Sequence, residues 1–248
     1  MEGTRTPALD GAREPASGNR IADSRFFSVI AEETRFFIVR HGQSEGNARM
    51  IIQGRRDLGL DEAGRSQAAS AGAWLAAKRI DSIIASPLSR AAETGRILAA
   101  ACGVAEPRFD PLLVEIDTGM FSGITLDDAR SRFPEVYEAF ERQSWDGVPD
   151  AESSAAIYER AMSAWEALRD LAIGGRRNIA CVTHGGFIQW LVRSTFGCRT
   201  WMPLLATGNC GIFELLVMPT GSGEPAYLQW RLLNFQPATS VVPLPPVF

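Results

Sequence analysis

Apolar residues in this chain gather into short blocks, each broken by glycine, proline or a polar residue and followed by a longer stretch of helical spacing. Phe36-Phe37-Ile38-Val39 is four consecutive apolar residues without alternation, the pattern of a strand buried on both faces. Ile80 to Ala85 and Asn178 to Thr183 read the same way, and Phe109 to Val114 predicts a further short strand. Gly211 to Met218 and Ala226 to Phe235 alternate well enough to pair across the turn-rich Pro219 to Pro225. Helices are predicted between these blocks. Asp61 can cap one reaching Arg79, and Ser86 with Pro87 at the first helical position can start another. Two short helices are expected either side of Pro134. From Glu152 to Ala172, the residues Ile157, Ala161, Trp165, Leu168 and Leu171 recur at helical spacing, and Gly185 to Phe196 predicts the last helix. Strand and helix alternating throughout predict an α/β fold, a three-layer α/β/α sandwich around a mostly parallel sheet with right-handed crossovers.

Composition bounds the class. A chain of 248 residues with 46% hydrophobic and 22% charged residues suits one soluble globular domain, placed at residues 34–236. Residues 1–33 mix Gly, Ala, Pro, Ser and charges of both signs, with Ile21 and Phe26-Phe27 as the notable apolar points, and read as a disordered tail. Residues 237–248 are too rich in proline for regular structure. The formal net charge of -4 gives no footing for nucleic acid or an anionic membrane surface, and no apolar run approaches the ~18 residues of a membrane span. Cys102, Cys181, Cys198 and Cys210 are scattered without a CxxC pair or a secretory signal ahead of them, which predicts reduced thiols and a cytoplasmic location. No spacing of histidines and cysteines suits a metal. An oligomer is compatible with the sequence.

The chemistry collects where the apolar blocks end. Arg40-His41-Gly42 follows the first block, so a guanidinium and an imidazole sit at a strand's carboxyl end, where open α/β sheets bind ligands. A fixed cationic fork beside a potential nucleophile points to a phosphate group. The chain holds only two histidines, and the second, His184, likewise lies between an apolar strand and Gly185-Gly186. Arg90 falls in the first turn of a helix that follows a strand, a second cation at an anion-favouring helix N-terminus. Asn47 to Leu60 is expected to loop over this edge, and it contains Gln53-Gly54-Arg55-Arg56-Asp57.

These motifs, in this order, resemble the histidine phosphatase superfamily, which includes the cofactor-dependent phosphoglycerate mutases. The residues that carry the resemblance are Arg40-His41-Gly42-Gln43-Ser44-x-x-Asn47, Ser86-Pro87-Leu88-Ser89-Arg90-Ala91-x-x-Thr94, Leu113-x-Glu115 and Thr183-His184-Gly185-Gly186. It runs from about Arg35 to Phe235. Pro149-Asp150-Ala151-Glu152-Ser153 departs from it by replacing the two glycines usual in that stretch.

The resemblance implies roles. Arg40, Arg90 and His184, with Asn47 donating from the loop, would hold the phosphoryl oxygens, and His41 would attack phosphorus. Glu115 would give a proton to the leaving oxygen and later take one from water. Gln53, Gly54 and Gly185 are further candidate substrate contacts, and residues 116–150 would roof the site. Arginines in place of a metal clamp imply neither metal nor cofactor, and the expected partner is a small phosphorylated metabolite. Three readings follow: a metal-independent phosphomonoesterase, a phosphoglycerate mutase of the same chemistry, and a non-catalytic phospho-ligand binder. The roof carries only Arg130, Arg132 and Arg142 as cations, among Phe121, Phe133, Tyr137, Phe140 and Trp145. A mutase needs a more cationic roof to grip its acid, so the expectation is the phosphatase.

Overall fold

Along strand β1 (Thr34–Arg40) the side chains divide between two cores: Phe36 and Ile38 face one, Phe37 and Val39 the other. This is why the apolar block shows no alternation, since each face of the strand is covered. The structure is a computed structural model that describes residues 20–200 and 202–237. After β1 come α1 (Glu45–Ala48), α2 (Glu62–Ala76), β2 (Ser82–Ala85), α3 (Ser89–Cys102), β3 (Arg108–Phe109), α4 (Leu126–Arg132), α5 (Pro134–Gln143), α6 (Ser154–Ile173), β4 (Asn178–Thr183), α7 (Gly185–Thr195), β5 (Ile212–Met218) and β6 (Tyr227–Phe235).

The sheet runs β3-β2-β4-β1-β5-β6. From β3 to β1 every neighbouring pair is parallel, and β5 and β6 add an antiparallel edge. On one face α6 and α7 bury Ile157, Ala161, Trp165, Leu168, Phe187 and Leu191. On the other, α2 and α3 bury mainly small residues, Ala68, Ala71, Ala91 and Ala99 with Leu75 and Leu98. The fold is therefore a three-layer α/β/α sandwich around a mostly parallel sheet.

Several expectations change on folding. The tail expected over 1–33 does not extend to the domain: from Arg20 onward the chain is packed, with Ala22, Phe27 and Ile30 buried. The Phe27 ring lies 5.5 Å from Trp165 and 5.9 Å from Phe36, and Arg169 sits 4.3 Å over Phe26. Residues 1–19 and 238–248, the rest of the two expected tails, lie outside the described residues. The strand expected over 109–114 stops at Phe109, because Asp110 caps a 3-10 turn through the Leu112 N–H and Pro111 has no N–H for the sheet. The first helical residue after β2 is Ser89, not Pro87. Its N–H and hydroxyl bond Asp57 at 2.6 and 2.8 Å, which frees Ser86 for another partner.

Candidate active site

The parallel pairing of β1 with β4 sets Arg40 opposite Thr183, so the next residue of each strand, His41 and His184, leaves the sheet at the same level. His41 N–H bonds the Thr183 carbonyl at 2.9 Å, and the two imidazole centroids lie 5.0 Å apart. On the other side of β4, β2 ends level with them, Ser86 N–H bonding the Val182 carbonyl at 2.9 Å. Gly42 must be glycine, because a Cβ there would overlap the Gly64 carbonyl oxygen. The backbone can thus turn at once beneath α2.

Burial is the first cause that holds His41 well below the ordinary histidine range, with Arg90 and Arg40 adding to it. Its Nδ1 lies 2.6 Å from the Gly42 carbonyl, which can only accept. That nitrogen therefore carries the ring proton, and Nε2 keeps its lone pair. His184 is lowered in the same direction by burial first, then by Arg90, His41, Arg40 and Arg160. Its Nε2 lies 2.8 Å from Ser86 Oγ, while its Nδ1 is buried without a partner.

Arg90 is almost wholly buried and holds the Gly54 and Arg56 carbonyls at 2.9 and 2.7 Å, tying the loop after α1 to the start of α3. Burial lowers it to about 10, so it stays charged at neutral pH. Glu93 pairs instead with Arg65, 2.6 Å away. Arg40 is likewise lowered by burial and donates from Nη1 to the Thr207 carbonyl. The Nε atoms of both arginines are buried and unpartnered.

Glu115 seats its carboxylate on the start of α7. It accepts from Ile116 N at 2.9 Å, Gly186 N at 3.1 Å and Phe187 N at 2.9 Å. The segment that carries it is held by Arg160, whose Nη1 bonds the Leu112 and Val114 carbonyls, and by Thr183 Oγ1 on the Leu113 carbonyl. Glu152 pairs with Arg160 at 2.7 Å and with Arg55 at 3.1 Å. Asn47 closes a capping box with Ser44 on α1, and Asn209 reaches both its Oδ1, at 3.1 Å, and the His41 carbonyl, at 3.3 Å. Nothing in the sequence singled out Asn209, Arg160 or Ser86 for these parts, because each acts through a partner far along the chain.

Arg40, His41, Asn47, Gln53, Gly54, Arg90 and Glu115 line one cleft of about 250 Å³. His184 is fully buried beside His41 and does not itself line the cleft. It is Gly186 that faces the cleft, whereas Gly185 packs against Arg40 and Thr207. From the segment 116–150, Ile116, Thr118, Thr125, Leu126, Asp127 and Trp145 line the cleft. At its far end Asp150 takes a φ of 61°, a left-handed conformation that glycine adopts without penalty, and so keeps the turn despite the substitution. Among the described residues no cluster of His, Cys, Asp and Glu is arranged to hold a metal, and no helix is long and apolar enough to cross a membrane.

Residues 36–226 match the family profile of the histidine phosphatase superfamily, branch 1. Phosphoglycerate mutase-like protein 4 of Arabidopsis thaliana is 37% identical over 172 residues, covering 68% of this chain and 74% of that protein. The 2-carboxy-D-arabinitol-1-phosphatase of Triticum aestivum is 30% identical over 216 residues, which is 86% of this chain and 43% of that protein. Among solved structures, mycobacterial glucosyl-3-phosphoglycerate phosphatase in complex with VO3 aligns at a TM-score of 0.66 and 25% identity, over 81% of this chain and 99% of that one.

Proposed function

The chain belongs to the histidine phosphatase superfamily, and from that membership and the geometry of the cleft we propose a phosphatase that hydrolyses a small phosphomonoester through a phosphohistidine on His41. The carrying observation is that Arg40, His41, Arg90 and Glu115 line one cleft at which three buried nitrogens without partners also gather: Nε of Arg40, Nε of Arg90 and Nδ1 of His184. An unsatisfied buried donor costs about 1–3 kcal/mol, so several around one site call for a ligand that accepts from them. The non-bridging oxygens of a phosphoryl group do so.

In this reading Arg40 and Arg90 hold the charge of the phosphoryl oxygens, and His184 donates to one of them from Nδ1. His41 Nε2 attacks phosphorus in line. A bond forms from Nε2 to phosphorus as the bond to the ester oxygen breaks, and Glu115, which must enter the step protonated, supplies the proton that the departing oxygen takes. Water then attacks the phosphohistidine, giving its proton to Glu115 and releasing phosphate and free His41. Both arginines are in place before substrate arrives, so little reorganisation is needed at the moment of transfer.

Quenching a single turnover with labelled substrate should leave an acid-labile, base-stable phosphate on the wild-type protein and none on His41→Ala. Absence of that adduct in wild type, or its mapping to serine, overturns the proposal. The mutase alternative shares every step up to phosphohistidine, and two of the relatives carry names from each side. What weighs against it is the cleft wall, which among the described residues bears no Arg or Lys besides Arg40 and Arg90. With 3-phosphoglycerate and a trace of 2,3-bisphosphoglycerate we expect negligible 2-phosphoglycerate; its rapid formation with little free phosphate would favour the mutase.

A further inference from the structure

We propose that the organic half of the substrate is a small apolar alcohol or phenol bearing no second anionic group, a specificity that rests on the phosphatase reading above. Beyond the phosphoryl cage the cleft wall is Met50, Ile51, Ile52, Ile116, Leu126 and Trp145. The hydroxyls and amide oxygens interleaved with these are already engaged, which leaves the amide N–H groups of Asn47 and Gln53, at the phosphoryl end, as the free side-chain donors among the described residues. Thr118 and Ser122 share a hydrogen bond of 2.8 Å, and Thr125 bonds Asp128 as donor and acceptor at 2.8 and 3.0 Å. Gln53 Oε1 accepts from Ser44 Oγ, and Asn47 Oδ1 from Ser44 and Asn209. A sugar-like or acid group entering here would lose water and find few polar partners in return.

Charge points the same way. Of the roof cations, Arg130 lies 6.0 Å over Tyr137, Arg132 lies 5.2 Å over Phe133, and Arg142 pairs with Glu138 at 3.7 Å; none lines the cleft. Arg55 is drawn to Glu152 and Asp117. The wall instead carries Asp127, exposed and without a hydrogen bond or ion pair among the described residues. Its carboxylate repels a second anion, which is discrimination by repulsion as much as by fit. At the rim Met50 adopts a φ of 54° and leaves 71% of its surface exposed, its backbone fixed by the Asn47 carbonyl at 3.0 Å. A large apolar side chain held at a strained position over a cleft is suited to covering an apolar ligand.

The test compares two esters with similar primary leaving groups, 3-phenylpropyl phosphate and 3-phosphonooxypropanoate, with p-nitrophenyl phosphate as the activity control. Wild type should favour the phenylpropyl ester in kcat/KM by at least about 10-fold, the scale on which apolar pockets discriminate. Asp127→Asn should narrow that gap at low salt and less so at high salt, since an exposed charge is screened. Met50→Arg, also at an exposed position, should narrow it further by raising kcat/KM for the acid and lowering it for the phenylpropyl ester. Preference of wild type for the acid, or a ratio unmoved by both variants, overturns the inference while p-nitrophenyl phosphate turnover keeps the phosphatase reading standing. No turnover of any of the three esters overturns both.

Discussion

The hydroxyl of Ser86 lies 2.8 Å from Nε2 of His184, with both residues fully buried, so the end of β2 sets the state of a ring at the end of β4. Ser86 Oγ accepts from Leu88 N–H at 3.3 Å, and its single proton is free to be donated to His184 Nε2. In that arrangement, which the proposed mechanism uses, the His184 proton sits on Nδ1, the atom without a partner. Ser86→Ala should let the ring take the other tautomer. We expect kcat to fall by roughly 10–100-fold, the worth of one hydrogen bond to a charged group, with Ser86→Thr recovering part of it. An unchanged kcat in a folded Ser86→Ala protein would mean that the hydroxyl only fills space.

Arg90 is tied at once to the loop carbonyls of Gly54 and Arg56 and to the proposed phosphoryl site. Arg90→Ala should lower kcat by at least about 10²–10³-fold, and Arg90→Lys should recover little, because a point charge cannot make the forked contact. Vanadate should inhibit wild type, while a chelator should leave its rate unchanged. A fully active Arg90→Ala, or strict dependence on an added metal, would contradict the arginine clamp.

Glu115 meets three backbone N–H groups, so its substitution tests seating and proton transfer together. Glu115→Gln keeps an acceptor oxygen for α7 but has no proton to give. Steady-state kinetics should show a far larger loss on an alkyl phosphate than on p-nitrophenyl phosphate, whose leaving group needs little help. Equal losses on both would assign Glu115 to positioning, and Asp117 would become the next candidate acid.

Stability should depend on pH through the two buried histidines. Both are held well below 6.5, so below that value the unfolded chain binds protons that the folded protein refuses. Their contribution is complete above about pH 6.5 and is lost as pH falls from there toward the folded values, each histidine adding a slope of up to about 1.4 kcal/mol per pH unit. Denaturant unfolding of wild type, His41→Gln and His184→Gln between pH 5 and 7.5 checks this. The slope should shrink in each variant, and a slope equal to that of wild type in both would show that the rings are charged in the folded state.

The strands that carry Arg40, His41 and His184 were legible because each is a local event. A block such as Phe36 to Val39, apolar on both faces, has few alternatives to a central strand, and a glycine after the imidazole marks where it ends. Asp61 was likewise readable as a helix cap, since a cap acts within three residues. Ser86 reads locally as a helix cap, but the helix starts at Ser89 and the Ser86 hydroxyl meets His184, 98 residues away, once the two strands lie side by side. Phe27 could not be separated from a mobile tail until Trp165 and Phe36 gave it a core to enter. Arg160 and Asn209 were invisible because a hydrogen bond to a distant carbonyl or side-chain oxygen leaves no periodicity in the chain. The sequence by itself determined the alternation of strand and helix and the residues that end the strands, because hydrophobic spacing and caps act over a few residues. Only the tertiary structure decided which buried nitrogens go unpaired, which roof residues line the cleft and where the roof cations turn, because those depend on what packing brings together from distant parts of the chain.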